Sequence, residues 1–110
     1  MKVSKLAEKT SWNVYGDPKK FDKEIEGVYV GDLLSWVMGH GKVAQAWLTI
    51  QSHANVLAVA SLKEFSCLII CENDGLSTEF IQQVLDEEVL VLTTSLSIYD
   101  VCKKLIELGV

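Results

Sequence analysis

A three-layer α/β/α fold, with a mostly parallel sheet of about four strands and an additional N-terminal helix, is what this sequence predicts, on three observations. From Val28 onward, short runs of β-branched and aliphatic residues recur with little polar alternation, as strands buried on both faces do. Between the runs stand amphipathic stretches of roughly ten residues, of helical rather than strand length. Each run also ends in a cluster of Gly, Asp, Asn, Ser or Thr that suits the turn into a following helix. The chain of 110 residues is long enough for one core and too short for two, so the expected organisation is a single domain over 1–110.

Val3, Leu6, Ala7 and Thr10 recur at helical spacing, with Lys2, Lys5, Glu8 and Lys9 opposite, which predicts an amphipathic first helix within Met1–Asn13. Residues 16–26 join a Gly-Asp-Pro turn to alternating charge and read as an exposed connection with a short edge strand near Ile25. Val28-Tyr29-Val30 is the next β-prone run. Gly31-Asp32 then precedes Leu33, Leu34, Trp36, Val37 and Met38, the pattern of an Asp-capped helix that Gly39-His40-Gly41-Lys42 ends. Ala46–Ile50 reads as a strand, and Ser52 as the N-cap of a helix over His53–Leu62 with Val56, Leu57, Val59 and Ala60 inward. Phe65–Cys71 is the third run, and Glu72-Asn73-Asp74-Gly75 its loop. Ser77 is placed to cap a helix reaching about Glu87. Val89–Leu92 is the last strand, and Thr93-Thr94-Ser95 leads into a helix over Leu96–Leu108 closed by Gly109.

Composition narrows the function. Ten lysines, no arginine and fifteen acidic residues give a net charge of −5, the wrong sign for neutralising a phosphate backbone, so no nucleic-acid partner is expected. Six lysines and five acids fall in residues 1–26, leaving four lysines against ten acids in the remainder. The mixed-charge start lacks a signal-peptide pattern. The longest apolar-leaning stretch, Asn55–Leu62, is far below the roughly 20 residues a membrane span needs. A cytoplasmic location without membrane contact is therefore expected. Cys67, Cys71 and Cys102 do not suggest a disulfide framework. Two residues four apart on a strand are separated by about 13 Å, so Cys67 and Cys71 read as buried thiols rather than a shared metal site.

In an open parallel sheet, ligands settle beyond the carboxyl ends of the strands, where helix N-termini offer free N–H groups. Four loops qualify: Gly31-Asp32, Gln51-Ser52-His53 with Asn55, Glu72–Gly75, and Thr93-Thr94-Ser95. The second is chemically the densest and suits a small polar ligand or an anion. Helix capping by Ser52 and Asn55 explains the same residues without a ligand, and both uses stay open. The candidate ligand-binding set is thus Asp32, Gln51, Ser52, His53, Asn55, Thr93, Thr94 and Ser95. No phosphate loop, dinucleotide fingerprint, nucleophile elbow or zinc-protease motif occurs, so no catalytic residue, metal ligand or cofactor is assigned. His40 falls at the opposite end of its helix from the site loops, so it does not join His53 in a metal site. Asp32 and Asp74 are explained as turn or cap residues. Trp12, Trp36, Trp47, Tyr29 and Phe80 read as core or subunit-contact residues.

The segments Val28–Leu34, Ala46–Ala60, Cys67–Cys71 and Val89–Ser95 resemble the DRTGG domain family, and the resemblance spans essentially the whole chain. That family is similar to the N-terminal domain of bacterial HPr kinase/phosphorylase, and similar modules accompany CBS domains in some pyrophosphatases. The resemblance implies a three-layer accessory module, usually dimer-forming, with a regulatory or ligand-sensing role and no catalysis of its own. The Asp-Arg-Thr-Gly-Gly motif itself is missing, and Gln51-Ser52-His53 stands where many members place a Gly-Asp-Arg type turn, so no functional residue carries over there. The expected function is a non-catalytic, dimeric module that binds a small polar metabolite or a partner protein at these loops. Its rivals are a structural subunit of a larger complex and a small enzyme using His53 with Ser52 or Thr94.

Overall fold

The computed structural model describes residues 1–110, and its elements alternate as the sequence leads one to expect. In chain order they are α1 (Val3–Thr10), β1 (Asn13–Tyr15), α2 (Pro18–Phe21), β2 (Gly27–Val30), α3 (Leu34–His40), β3 (Gln45–Thr49), α4 (Ala54–Leu62), β4 (Cys67–Ile70), α5 (Thr78–Leu85), β5 (Leu90–Thr93) and α6 (Ile98–Glu107). The sheet has five strands in the order β1-β5-β4-β3-β2. β2 to β5 are parallel and consecutive, and β1 lies antiparallel against β5.

Because neighbouring parallel strands are also consecutive in sequence, the crossovers through α3, α4 and α5 all fall on one face. There Trp47, Leu68, Ile70 and Val91 of the sheet pack with Val37, Val56, Ala60, Phe80 and Val84 of the helices. Leu48, Ile69 and Leu92 point the other way, and α1 and α6 cover them with Val3, Leu6, Val101 and Leu105. α4 carries no charged residue and sits between α3 and α5, which is why four of its nine positions are buried. Gly41 is required where α3 gives way to β3, since a Cβ there would collide with the Phe65 ring. Complete burial of each such Leu, Ile or Val contributes roughly 1.5–3 kcal/mol.

Several expectations need correction. β1 is a fifth strand inside what read as the end of the first helix and its connection. Thr10 Oγ1 donates to Leu6 O at 2.8 Å, and Ser11 takes a left-handed conformation with φ 60°. The helix stops there, three residues early, and Val14 and Tyr15 pair with Leu92 and Val91. A three-residue strand is too short to show a period of its own. The 16–26 connection holds a single helical turn, α2, capped by Asp17, whose carboxylate accepts from Lys19 N at 3.0 Å. Ile25 is buried and forms no edge strand. A lone bridge between Lys2 and Glu24 ties the segment to α1.

Two caps also move. Asp32 does not cap α3, because Leu33 holds that position, and Ser52 does not cap α4, because His53 does, without a side-chain bond. At the chain's end, α6 starts at Ile98 rather than Leu96, with Ser97 Oγ accepting from Asp100 N at 3.2 Å. Ser77 caps α5 as expected, its Oγ accepting from Phe80 N at 3.1 Å. Gly109, with φ +83°, closes α6 while Val110 N donates to Leu105 O at 2.9 Å.

Candidate functional site

The loops that follow β2 to β5 all emerge at the carboxyl edge of the sheet, and the structure joins them in two pairs. In the first pair, Gly31 N donates to Leu48 O at 3.3 Å and Gly31 O accepts from Trp47 Nε1 at 2.8 Å. Beside it, Asp32 Oδ1 accepts from Thr49 Oγ1 at 2.5 Å and from Ile50 N at 3.1 Å. Thr49 Oγ1 in turn accepts from Gln51 N at 3.2 Å. Asp32 therefore spans two loops instead of starting a helix, and it fixes Gln51 at the lip of the sheet.

The second pair forms where the crossovers change face, since β4 leads to α5 on one side and β5 to α6 on the other. Such a switch point commonly opens a ligand crevice. Here it is laced shut: Thr94 N donates to Ile70 O at 3.1 Å, Asn73 N to Thr94 O at 2.9 Å, and Glu72 N to Leu96 O at 2.9 Å. Thr94 Oγ1 accepts from Leu96 N at 3.2 Å, and Asn73 Oδ1 from Gly75 N at 2.9 Å. Thr93 and Thr94 are buried, while Ser95 is exposed.

Two polar atoms at this edge are shielded and have no hydrogen-bond partner, Gln51 Oε1 and Thr93 Oγ1. Thr93 lies in register with Ile70, and Ile70 with Thr49, so the last row of the sheet reads Thr49, Ile70, Thr93 across three strands. Ser52, His53 and Asn55 are exposed and make no side-chain hydrogen bond, and His53 is bonded to neither Ser52 nor Thr94. His40 sits at the far end of α3, stacked on Trp36 with ring centroids 3.9 Å apart. No group of His, Cys, Asp and Glu is arranged to hold a metal ion. The loops and first helical turns here, residues 31–35, 50–56, 71–79 and 94–100, hold Asp32, Glu72, Asp74, Glu79 and Asp100 and no lysine. That acidic rim disfavours a bare anion, contrary to the expectation from helix N-termini alone.

Sequence reasoning missed Thr49, the hydroxyl that links Asp32 to Gln51. Its signal was a polar residue ending an otherwise apolar strand. It also missed a recess on the opposite face, an apolar groove of about 160 Å³ lined by Val28, Cys102, Leu105, Ile106 and Val110. None of the eight candidate residues lines it. Cys67 and Cys71 are buried as expected. Burial pushes both thiols up to about 12, with Cys71 raised further by the charges of Cys102, Glu72 and Asp32.

No family model and no curated protein matches the chain. Among solved structures it is similar to the CBS and DRTGG domains of the regulatory region of Clostridium perfringens pyrophosphatase, complexed with the activator diadenosine tetraphosphate. The identity is 14%, the TM-score 0.70, and the match covers 92% of this chain and 44% of that one. The chain thus spans less than half of that structure. At this identity the likeness shows the fold, a DRTGG-like α/β domain, and the neighbour is a regulatory rather than a catalytic region. It bears on the pyrophosphatase side of the family resemblance and gives no support to the HPr kinase/phosphorylase side. No helix is long and apolar enough to cross a membrane.

Proposed function

We propose that this protein is a non-catalytic regulatory module, dimeric and cytoplasmic, that senses a small polar metabolite at the carboxyl edge of its sheet. Asp32, Gln51, Ser52, His53, Asn55, Thr93, Thr94 and Ser95 form the binding set. The observation that carries this reading is the pair of shielded, unpartnered polar atoms, Gln51 Oε1 and Thr93 Oγ1. A buried polar group without a partner costs about 1–3 kcal/mol, a cost that a ligand's hydrogen bonds would remove. In the same loop as Gln51, His53 and Asn55 stand exposed at the start of α4 and make no side-chain hydrogen bond. The acidic rim selects neutral or cationic ligands, or phosphates complexed with magnesium, over bare phosphates. Regulation without chemistry fits the regulatory neighbour and the lack of a hydrogen-bonded base and nucleophile at His53.

A thermal-shift panel tests this with adenosine, ATP with and without magnesium, diadenosine tetraphosphate and polyamines. A ligand at 100 times its dissociation constant stabilises the native state by about 2.7 kcal/mol, a rise of several degrees for a domain this size. At least one compound should raise the melting temperature, and Gln51→Ala or His53→Ala should abolish the rise. A panel without any shift would contradict the proposal.

A further inference from the structure

The parallel sheet ends at β2, and that edge is open. β2 pairs only with β3, and no other backbone hydrogen bond reaches Gly27–Val30, so alternate N–H and C=O groups face outward unpaired. Protein edges are usually blunted by lysine, proline or a bulge, because a bare edge recruits another strand. Gly27-Val28-Tyr29-Val30 contains neither lysine nor proline and pairs with β3 in unbroken register.

Exposed apolar residues stand beside this edge in both helical layers. On the α3 side Leu33, Trp36 and Val43 are 66%, 57% and 62% exposed, and on the α6 side Val30 is 47% and Ile106 74% exposed. The apolar groove opens beside them, with Val28 and Ile106 in its wall. Exposed large apolar side chains beside an unpaired strand edge favour an interface.

Charge identifies the occupant. The chain carries −5 in total, yet Gly27–Gln51 contains only one carboxylate and one lysine, Asp32 and Lys42, which offset each other. Two copies repel each other through most of their surface and can close together where that charge is missing.

We propose that the β2 edge is the interface with a second copy of this chain, the two β2 strands pairing antiparallel about a two-fold axis into one ten-stranded sheet. Such an axis, normal to the sheet, sets one residue opposite its own copy. Centring on Tyr29 would place Glu26 opposite Asp32, two like charges. Centring on Val28 places Glu26 opposite Val30, and the strands take that register. Side chains from α3 and α6 then close over the joint on either face. The inference rests on the dimeric reading above for the existence of two copies, and adds the surface that joins them.

Light scattering over a concentration series tests it, together with hydrogen exchange at the β2 amides. Wild type should reach twice the chain mass, and protection at Gly27–Val30 should rise with concentration. Val30→Lys, at a position already half exposed, should halve the mass while leaving the far-ultraviolet circular dichroism unchanged. Leu85→Lys, exposed on α5 between β4 and β5 and away from the β2 edge, should remain dimeric. A dimer that survives Val30→Lys, with β2 exchange independent of concentration, would overturn this surface and leave the dimeric reading standing. A wild type that stays at single mass throughout would overturn both.

Discussion

Asp32 reads in the sequence as a helix cap, an assignment based on its place before an apolar helical stripe. In the fold the same carboxylate reaches sideways to the next strand, where it accepts from Thr49 Oγ1 and Ile50 N, and Leu33 takes the cap position of α3. Local spacing cannot reveal a partner 17 residues away. Thr49→Val should cost about 1–3 kcal/mol in urea denaturation, since it removes a donor to a carboxylate and an acceptor for Gln51 N. A cost near zero would mean that Asp32 is satisfied by solvent. The cysteines yield a second prediction at this scale. Burial lifts the Cys67 and Cys71 thiols to about 12, against about 8.5 in an unfolded chain. The native state keeps these protons where the unfolded chain has lost them. Their share of the stability is therefore full below about pH 8.5 and is lost as pH climbs toward 12. Near pH 8 a thiol reagent should label only half-buried Cys102 in the native protein and all three cysteines in urea. Rapid native labelling of Cys67 or Cys71 would refute the burial argument.

At the scale of elements, the helices separate into those held by their own caps and those held by packing. Ser77 and Ser97 each accept a hydrogen bond from the first turn they precede, whereas Ser52 is exposed and accepts none. Ser77→Ala and Ser97→Ala should each cost about 1 kcal/mol, and Ser52→Ala less than about 0.5 kcal/mol, by chemical denaturation. A large effect at Ser52 would return it to the capping role that its sequence context suggests. The four parallel strands and their helices were legible because each carries enough apolar residues to display its own period. β1 and α2 were not. The first is three residues long, and the second is one turn whose Pro and capping Asp are equally the marks of a loop. Of the candidate site, the strand-end loops were legible from the turn residues that punctuate the chain. Which loops bond to one another, and that the β4–β5 crevice is laced shut, depended on contacts between distant segments.

For the whole molecule, the sheet separates two surfaces with different chemistry. The carboxyl edge is polar and acidic and holds unpartnered groups within it, whereas the β2 strand itself is uncharged and is flanked by exposed apolar residues. Under the two proposals, metabolite binding would be coupled to assembly, because the loops that begin at Gly31 and Ile50 grow directly from β2 and β3. Any ligand that favours one assembly state must be favoured by it in return. Amide chemical shifts observed during titration test whether a metabolite binds at the carboxyl edge. The probes are adenosine, magnesium–ATP and diadenosine tetraphosphate, added separately to isotopically labelled protein. At least one of them should move the signals of Gln51–Asn55 and Thr93–Ser95 saturably, while those of Cys102–Val110 beside the apolar groove stay in place. Saturable shifts confined to the groove, or no saturable shift with any probe, would contradict binding at that edge.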